Sequence, residues 1–238
     1  MIDLFTQTTN SVILKSPAKD YRMIDAWGDV KKYIPNAGQD VTTAESWTHT
    51  QTGSNTWVNS VTSGEDFTIT TAATEYAGYS SQLLGESFAI ASGKPFYIGV
   101  QAKLSDGSAT QSDFLFGIAE TDTTLTAASD AHAIAVTGAG LFFSKLDGVT
   151  AITANVYSAG ASVGSATLDD VMDVSYHYYE IYSDDGETIK FAFDGEDVTC
   201  LTSSLPSVAM TLSLSFRAGA AAAKVLSLKN LKAVQVYS

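Results

Sequence analysis

Between Phe96 and Leu104 apolar and polar residues alternate, with Phe96, Ile98, Val100, Ala102 and Leu104 in one phase and Tyr97, Gly99, Gln101 and Lys103 in the other. Successive side chains of a strand point to opposite sides, so a period of two predicts a strand with one buried face. Phe114, Phe116 and Ile118 repeat the device, and so do Ile189, Phe191 and Phe193. The longest run sets Val208, Met210, Leu212, Leu214 and Phe216 towards a core, against Ala209, Thr211, Ser213, Ser215 and Arg217 on a face that reads as wet. Near the C-terminus Leu226 and Leu228 share one phase, Leu231 and Ala233 the other, and Val234 and Val236 return to the first. A bulge near Lys229-Asn230 accounts for that slip.

Turn chemistry separates these runs. Asp147-Gly148, Asp185-Gly186 and Asp194-Gly195 each stand between apolar stretches, and a glycine free to take positive φ after Asp suits a tight hairpin. Residues 173–200 therefore predict a three-stranded meander. None of the four prolines interrupts a run. Many strands, turns about every ten residues and no repeat of 20–50 residues predict an all-β fold, a two-sheet antiparallel jelly-roll β-sandwich over residues 41–238.

Residues 1–40 read as an N-terminal arm, punctuated by Pro17 and Pro35 and without a sustained helical stripe. The arm either folds back as the first strand of the domain or packs on a partner. Its charge sets it apart. Five basic residues against four acids leave residues 1–32 at +1, and eight against 22 leave residues 33–238 at −14, in a chain of 238 residues with formal net charge −13. Nucleic-acid binders need a basic face to displace counterions, so the balance argues against nucleic acid as a partner. It argues equally against an anionic membrane surface. No apolar run approaches the ~20 residues that span a bilayer, and the start, Met1-Ile-Asp-Leu-Phe, has no secretory pattern, which reads as a chain not addressed for export.

The single cysteine, Cys200, excludes an intrachain disulfide and a cysteine-based zinc site. His49, His132 and His177 lack ligand-like spacing and read as solvated or hydrogen-bonded residues. No cofactor or metal is expected. Asp122, Asp130 and Asp147 read as solvated loop carboxylates rather than calcium ligands. Trp47, Trp57, Tyr76 and Tyr79 are the aromatic residues able to serve a sugar site if they lie in loops beside Asn, Asp and Gly; a tryptophan in a sandwich of this size otherwise belongs to the core.

The C-terminal half, residues 85–238, resembles the concanavalin A-like, laminin-G-type jelly roll. The stretch that carries the resemblance runs from Tyr176-His-Tyr-Tyr-Glu-Ile-Tyr-Ser-Asp-Asp-Gly to Phe191-Ala-Phe-Asp-Gly-Glu, with Leu205-Pro206 and a closing strand pair after it. Phe114-Leu-Phe-Gly-Ile-Ala-Glu-Thr-Asp and the Gly140–Gly148 hairpin suit the same sandwich. Within that fold the chain is similar to structural proteins of tailed-bacteriophage virions, on the Ala-Ala-Lys-Val-Leu stretch inside residues 220–228. Glycosidases of the fold carry Glu-x-Asp-x-(x)-Glu on one strand, since a retaining mechanism needs two carboxyl groups ~5 Å apart. Here Glu120-Thr-Asp122 is followed by Thr124, and Asp169-Asp170 and Asp184-Asp185 are adjacent pairs read as turn residues, so no catalytic residues and no enzyme are expected.

The resemblance implies a capsid decoration or cement protein on the virion exterior, assembled in the host cytoplasm. Its partner would be the major capsid protein, and it would cluster as a homo-oligomer, most simply a trimer. Lys15, Lys19, Tyr21, Arg22, Trp27, Lys31, Lys32 and Tyr33 are its candidate contacts. The alternative is a carbohydrate- or receptor-binding virion module, a fibre or head-surface adhesin, using Trp47, Trp57, Tyr76 and Tyr79.

Overall fold

The structure, a computed structural model, describes residues 5–8, 11–14, 22–25, 30–35, 47–59, 67–83, 85–86, 88–105, 111–201 and 204–236. The strands run in chain order as β1 (Phe5–Thr8), β2 (Ser11–Leu14), β3 (Arg22–Asp25), β4 (Val30–Pro35), β5 (Trp47–Thr52), β6 (Thr56–Asn59), β7 (Phe67–Thr70), β8 (Gly78–Leu83), β9 (Phe88–Ala89) and β10 (Phe96–Leu104). They continue as β11 (Ser112–Ala119), β12 (Gly140–Lys145), β13 (Ala151–Ser158), β14 (Ala161–Val171), β15 (His177–Ser183), β16 (Ile189–Phe193), β17 (Glu196–Leu201), β18 (Ala209–Ala218) and β19 (Val225–Val236). One sheet has the order β17-β16-β15-β10-β19-β7-β6, with β4 also on β19. The other has the order β14-β13-β12-β11-β18-β8-β5, with β9 also on β18. Every pairing is antiparallel. The expected two-sheet sandwich is the observed one.

One apolar core lies between the two sheets. Phe96, Ile98, Val100, Ala102 and Leu104 of β10 and Phe114, Phe116 and Ile118 of β11 all enter it, in the phase that the alternation predicts. Aromatic rings join the sheets: Phe143 of β12 meets Tyr179 of β15 at 5.5 Å and Phe191 of β16 at 5.2 Å, both edge-on, the arrangement that ring quadrupoles favour.

The turns follow their sequences. Asp194 (φ 48°) and Gly195 (φ 86°) join β16 to β17 with positive φ at both positions, the conformation that matches the twist of a tight hairpin. The slip near Lys229-Asn230 is a β-bulge: Gly99 pairs with Lys232 and Gln101 with Lys229, and Asn230 takes φ 55°.

Three expectations are corrected. Val208 precedes β18 and is 41% exposed rather than core. Asp169 and Asp170 lie inside β14 rather than in a turn, because that strand continues across a bulge to pair Val171 with Ala151. The face of β18 that reads as wet is dry, since Thr211, Ser213, Ser215 and Arg217 are all buried. The covering segment that joins β11 to β12, residues 120–139, meets Ser215 and Arg217 through Thr126, and Thr211 and Ser213 bond to Leu83 O and Gln82 of β8.

At the N-terminus β1, β2 and β3 form a separate three-stranded sheet, while β4 pairs with β19 from Val30↔Val236 to Pro35↔Lys232. Residues 30–35, assigned to the arm by sequence, thus extend a sheet of the sandwich. Among the proposed capsid contacts, Lys15, Lys19, Tyr21 and Trp27 lie outside the described residues. Arg22 is placed on β3, and Lys31, Lys32 and Tyr33 on β4.

Candidate functional site

The covering segment owes its position to both apolar and polar contacts. Leu125 and Val136 pack with Leu115, Ala119 and Phe142, which point away from the main core. An isolated bridge between Thr126 and Ile134 turns the segment back on itself. Polar anchors hold the rest: Gln82 Nε2 donates to the Glu120 carbonyl at 2.9 Å and to Ser213 Oγ at 2.9 Å, and its Oε1 accepts from Asp122 N at 2.7 Å. Asp122 is used up as a staple, accepting from Thr124 N, Thr137 N and Thr137 Oγ1. Burial opposes its charge, but these donors prevail and its carboxyl sits below the ordinary carboxylate value.

Beneath this segment lies Arg217, 1% exposed. Its Nε donates to Thr126 O at 3.0 Å and Thr126 Oγ1 at 3.1 Å. Its terminal nitrogens reach Thr52 Oγ1, Tyr76 O and Ser80 Oγ at 3.0, 3.3 and 3.3 Å. Burial lowers the guanidinium pKa, and the charge of Asp113 opposes that shift. One side chain thereby fastens the covering segment, the end of β5 and the β7–β8 connection to β18.

At the end of the sandwich where β11 begins, these elements meet in a half-exposed rim. His132 of the covering segment stands between two carboxylates, with Nδ1 3.0 Å from Asp113 Oδ2 and Nε2 3.6 Å from Asp147 Oδ2. Asp113 is fully buried and also accepts from Asp147 N at 2.7 Å. The Tyr76 ring lies 5.4 Å from that of His132, and its hydroxyl donates to Asp130. Both rings sit on backbone of positive φ, 64° at Tyr76 and 38° at His132, which costs a residue with a Cβ on the order of 1 kcal/mol or more. Partial burial alone favours the neutral imidazole. The hydrogen bond to Asp113 and the charges of Asp113, Asp147 and Glu75 outweigh it and hold His132 above its ordinary value.

The four aromatic candidates separate. Trp47 and Tyr79 are buried in the core and Trp57 packs against it, the three clustering with His49 between strands β5, β6 and β8. Tyr76 alone among the four stands in a loop beside an exposed carboxylate. Sequence reasoning missed its neighbours His132 and Asp113, which come from 56 and 37 residues further along the chain. The histidines are hydrogen-bonded as expected: His49 Nδ1 lies 2.9 Å from Ser81 Oγ, and His177 repeats the double-carboxylate arrangement with Asp194 at 2.7 Å and Asp173 at 3.1 Å. No group of three or more His, Cys, Asp and Glu side chains suited to a metal occurs among the described residues.

The opposite end of the sandwich holds an open cleft of 510 Å³ lined by Ile90, Ser92, Glu187, Thr188, Leu205 and Ser207, among others, with no aromatic residue in its wall among the described residues. The part of its wall formed by Glu187 and Thr188 is tied down by Asp185, which accepts from Glu187 N and Thr188 N at 2.7 Å. Burial opposes the charge, yet these bonds bring the carboxyl to about 2.

No protein-family model matches the chain, and no curated protein matches it in sequence. Its fold is shared with solved structures. The carbohydrate recognition domain of Emp47p superposes with a TM-score of 0.57 over 89% of this chain and 100% of that one, at 14% identity. A prokaryotic β-1,3-1,4-glucanase (lichenase) derived from a mouse hindgut metagenome gives 0.55 over 85% and 97%, at 14% identity. An endo-1,3-β-glucanase from Streptomyces sioyaensis gives 0.55 over 88% and 97%, at 10% identity. These are concanavalin A-like jelly rolls of lectin and glucanase type, which is the resemblance read from residues 85–238. None of the three is a virion protein, so the likeness to phage decoration proteins rests on the quoted sequence stretches. The expectation that the chain is no enzyme is corrected: two glucanases share the fold over most of their length, and a missing Glu-x-Asp-x-(x)-Glu pattern is no ground for excluding catalysis on it. What the chain is similar to in structure is a scaffold that serves both recognition and hydrolysis of carbohydrate.

Proposed function

We propose that the chain is a carbohydrate-binding β-sandwich whose sugar site is the rim around Tyr76. The observation that carries this reading is the setting of Tyr76: an aromatic ring in a loop, half exposed, oriented through its hydroxyl by Asp130 and backed by His132. A sugar ring presents apolar C–H faces and polar edges. An aromatic face with carboxylate acceptors beside it meets both. The fold neighbours support the reading, one being named a carbohydrate recognition domain and two being named glucanases.

Charge narrows the ligand. Asp130 accepts from the Tyr76 hydroxyl, and Glu75 and Asp147 act on the neighbouring His132, in a chain of net charge −13, so a uronate or sulfated glycan meets repulsion while a neutral one does not. Neutral β-1,3- and β-1,3-1,4-glucan oligosaccharides are the first probes.

Calorimetric titration with these probes tests the proposal. The wild-type chain is expected to bind one of them saturably, to ignore oligo-uronates, and to lose about tenfold or more in affinity on Tyr76→Ala, equivalent to about 1.4 kcal/mol. Binding that is unchanged in Tyr76→Ala would move the site elsewhere. Release of shorter oligosaccharides during the titration would make the site catalytic as well.

A further inference from the structure

We infer that His132 is a proton-operated latch for the Tyr76 rim: its imidazolium clamps the covering segment to β11 and to the β12–β13 turn, and loss of one proton releases the clamp. The effect on ligand affinity rests on the carbohydrate reading. The latch itself does not.

The geometry favours the charged ring. A neutral imidazole carries one N–H, and both nitrogens of His132 face a carboxylate oxygen, Asp113 at 3.0 Å and Asp147 at 3.6 Å. With Nδ1–H retained for the shorter contact, deprotonation turns the Nε2 lone pair towards Asp147. Attraction then becomes repulsion, in a place where the two side chains are only 13% and 19% exposed. Asp147 has little else to compensate it. Its Oδ1 is buried against Gly219 and meets no hydrogen-bond donor among the described residues.

The charged and titratable groups around His132 come from several elements: Asp113 on β11, Asp147 on the β12–β13 turn, and Glu75 and Tyr76 on the β7–β8 connection, with Asp130 of the covering segment bonded to Tyr76 and Arg217 of β18 acting on Asp113. The charge of Arg217 acts on Asp113 and favours that carboxylate in either state of the ring. The Asp147 contact is therefore the one that the proton controls. When it opens, the ring on which Tyr76 leans loses one of its two anchors, and so does the turn of chain that carries Asp130.

The sign follows from the raised value of His132. A folded pKa above the unfolded one gives stability that is fully present below the unfolded value, about 6.5, and is lost as the pH rises through the folded value. The latch is closed in mildly acidic solution and opens on the alkaline side. His177 offers an internal reference. It also sits between two carboxylates, but its ring stacks on Phe193 at 5.1 Å and is not part of the rim.

The test is a pH titration of the ligand-free full chain, reading the histidine ring signals by NMR and amide exchange over residues 120–139, with exchange corrected for its intrinsic pH dependence. His132 is expected to titrate above 6.5, with protection at residues 125–135 falling several-fold across the same interval. Asp147→Asn is expected to lower the His132 midpoint and leave His177 in place, and His132→Gln to abolish the pH dependence of protection. A His132 midpoint at or below 6.5, or protection that does not follow it, overturns the latch. Glucan affinity is then measured over the same range and is expected to fall as the segment opens. If the segment responds and no glycan binds, the latch stands and the carbohydrate reading fails. If glycan binds with a flat pH profile and unresponsive exchange, the reverse holds.

Discussion

Replacing Arg217 by methionine is expected to lower stability by about 3–5 kcal/mol and to release the covering segment over β18. Methionine fills much of the aliphatic volume, so the loss comes from the polar end. The guanidinium donates to Thr126 O and Oγ1, Thr52 Oγ1, Tyr76 O and Ser80 Oγ, and its charge compensates the fully buried Asp113. Removing it strands buried acceptors and leaves His132 as the remaining cationic partner of that carboxylate, which costs several kcal/mol in comparable buried networks. A denaturant midpoint gives the magnitude, and amide exchange gives the location: faster exchange at residues 124–134, with β10, β15 and β16 protected up to the new global limit.

Phe143→Ala is expected to be as costly, about 3–5 kcal/mol, by a different mechanism. The ring is fully buried on β12 and bridges to Tyr179 and Phe191 of the facing sheet. Truncation removes the contacts that join the sheets and leaves a cavity which strands fixed by their ladders cannot close. Protection should fall everywhere by a similar free energy, the covering segment included. Phe143→Leu, which keeps most of the apolar volume, should lose distinctly less. The two variants thus separate a fastening on one face of the sandwich from the core itself.

That separation marks how far the sequence was legible. Period-two alternation found the inward faces of β10, β11, β16 and β18, and the phase slip found the bulge at Asn230, because both are local consequences of a pleated chain against an apolar core. Alternation also labelled Thr211, Ser213, Ser215 and Arg217 as polar. It could not tell whether they meet water or other polar groups: Ser215 and Arg217 meet Thr126 of the covering segment, while Thr211 and Ser213 bond to Leu83 O and Gln82 of β8. The apolar residues that seat this segment, Leu125, Ile134 and Val136, are spread among Ala, Thr, Ser and Asp with no period to expose them. Leu115 and Phe142, apolar in the outward phase of β11 and β12, were the available sign that something covers that sheet.

The site was less legible than the fold, for a related reason. Tyr76 was among the residues singled out for a sugar site, but so were Trp47, Trp57 and Tyr79, and composition cannot rank a loop tyrosine above two core-packed tryptophans. His132 reads in sequence as an isolated polar residue. Only the crossing of the covering segment over the start of β11 brings it to Asp113, 19 residues away, and to Asp147, 15 residues away. The resemblance to virion proteins drew attention to the basic N-terminal residues, whereas the described side chains concentrate polar chemistry at the rim where β5, β8, β11 and β18 meet the covering segment.

The central claim is that carbohydrate binds at that rim, and mapping the backbone amide shifts of labelled protein during titration with a neutral β-glucan oligosaccharide tests it most directly. The account predicts saturable shifts clustered at residues 74–77, 128–133 and 147–148. Shifts clustered instead around residues 90–92, 186–188 and 205–207, at the opposite cleft, or no shifts with any neutral glycan, would contradict it.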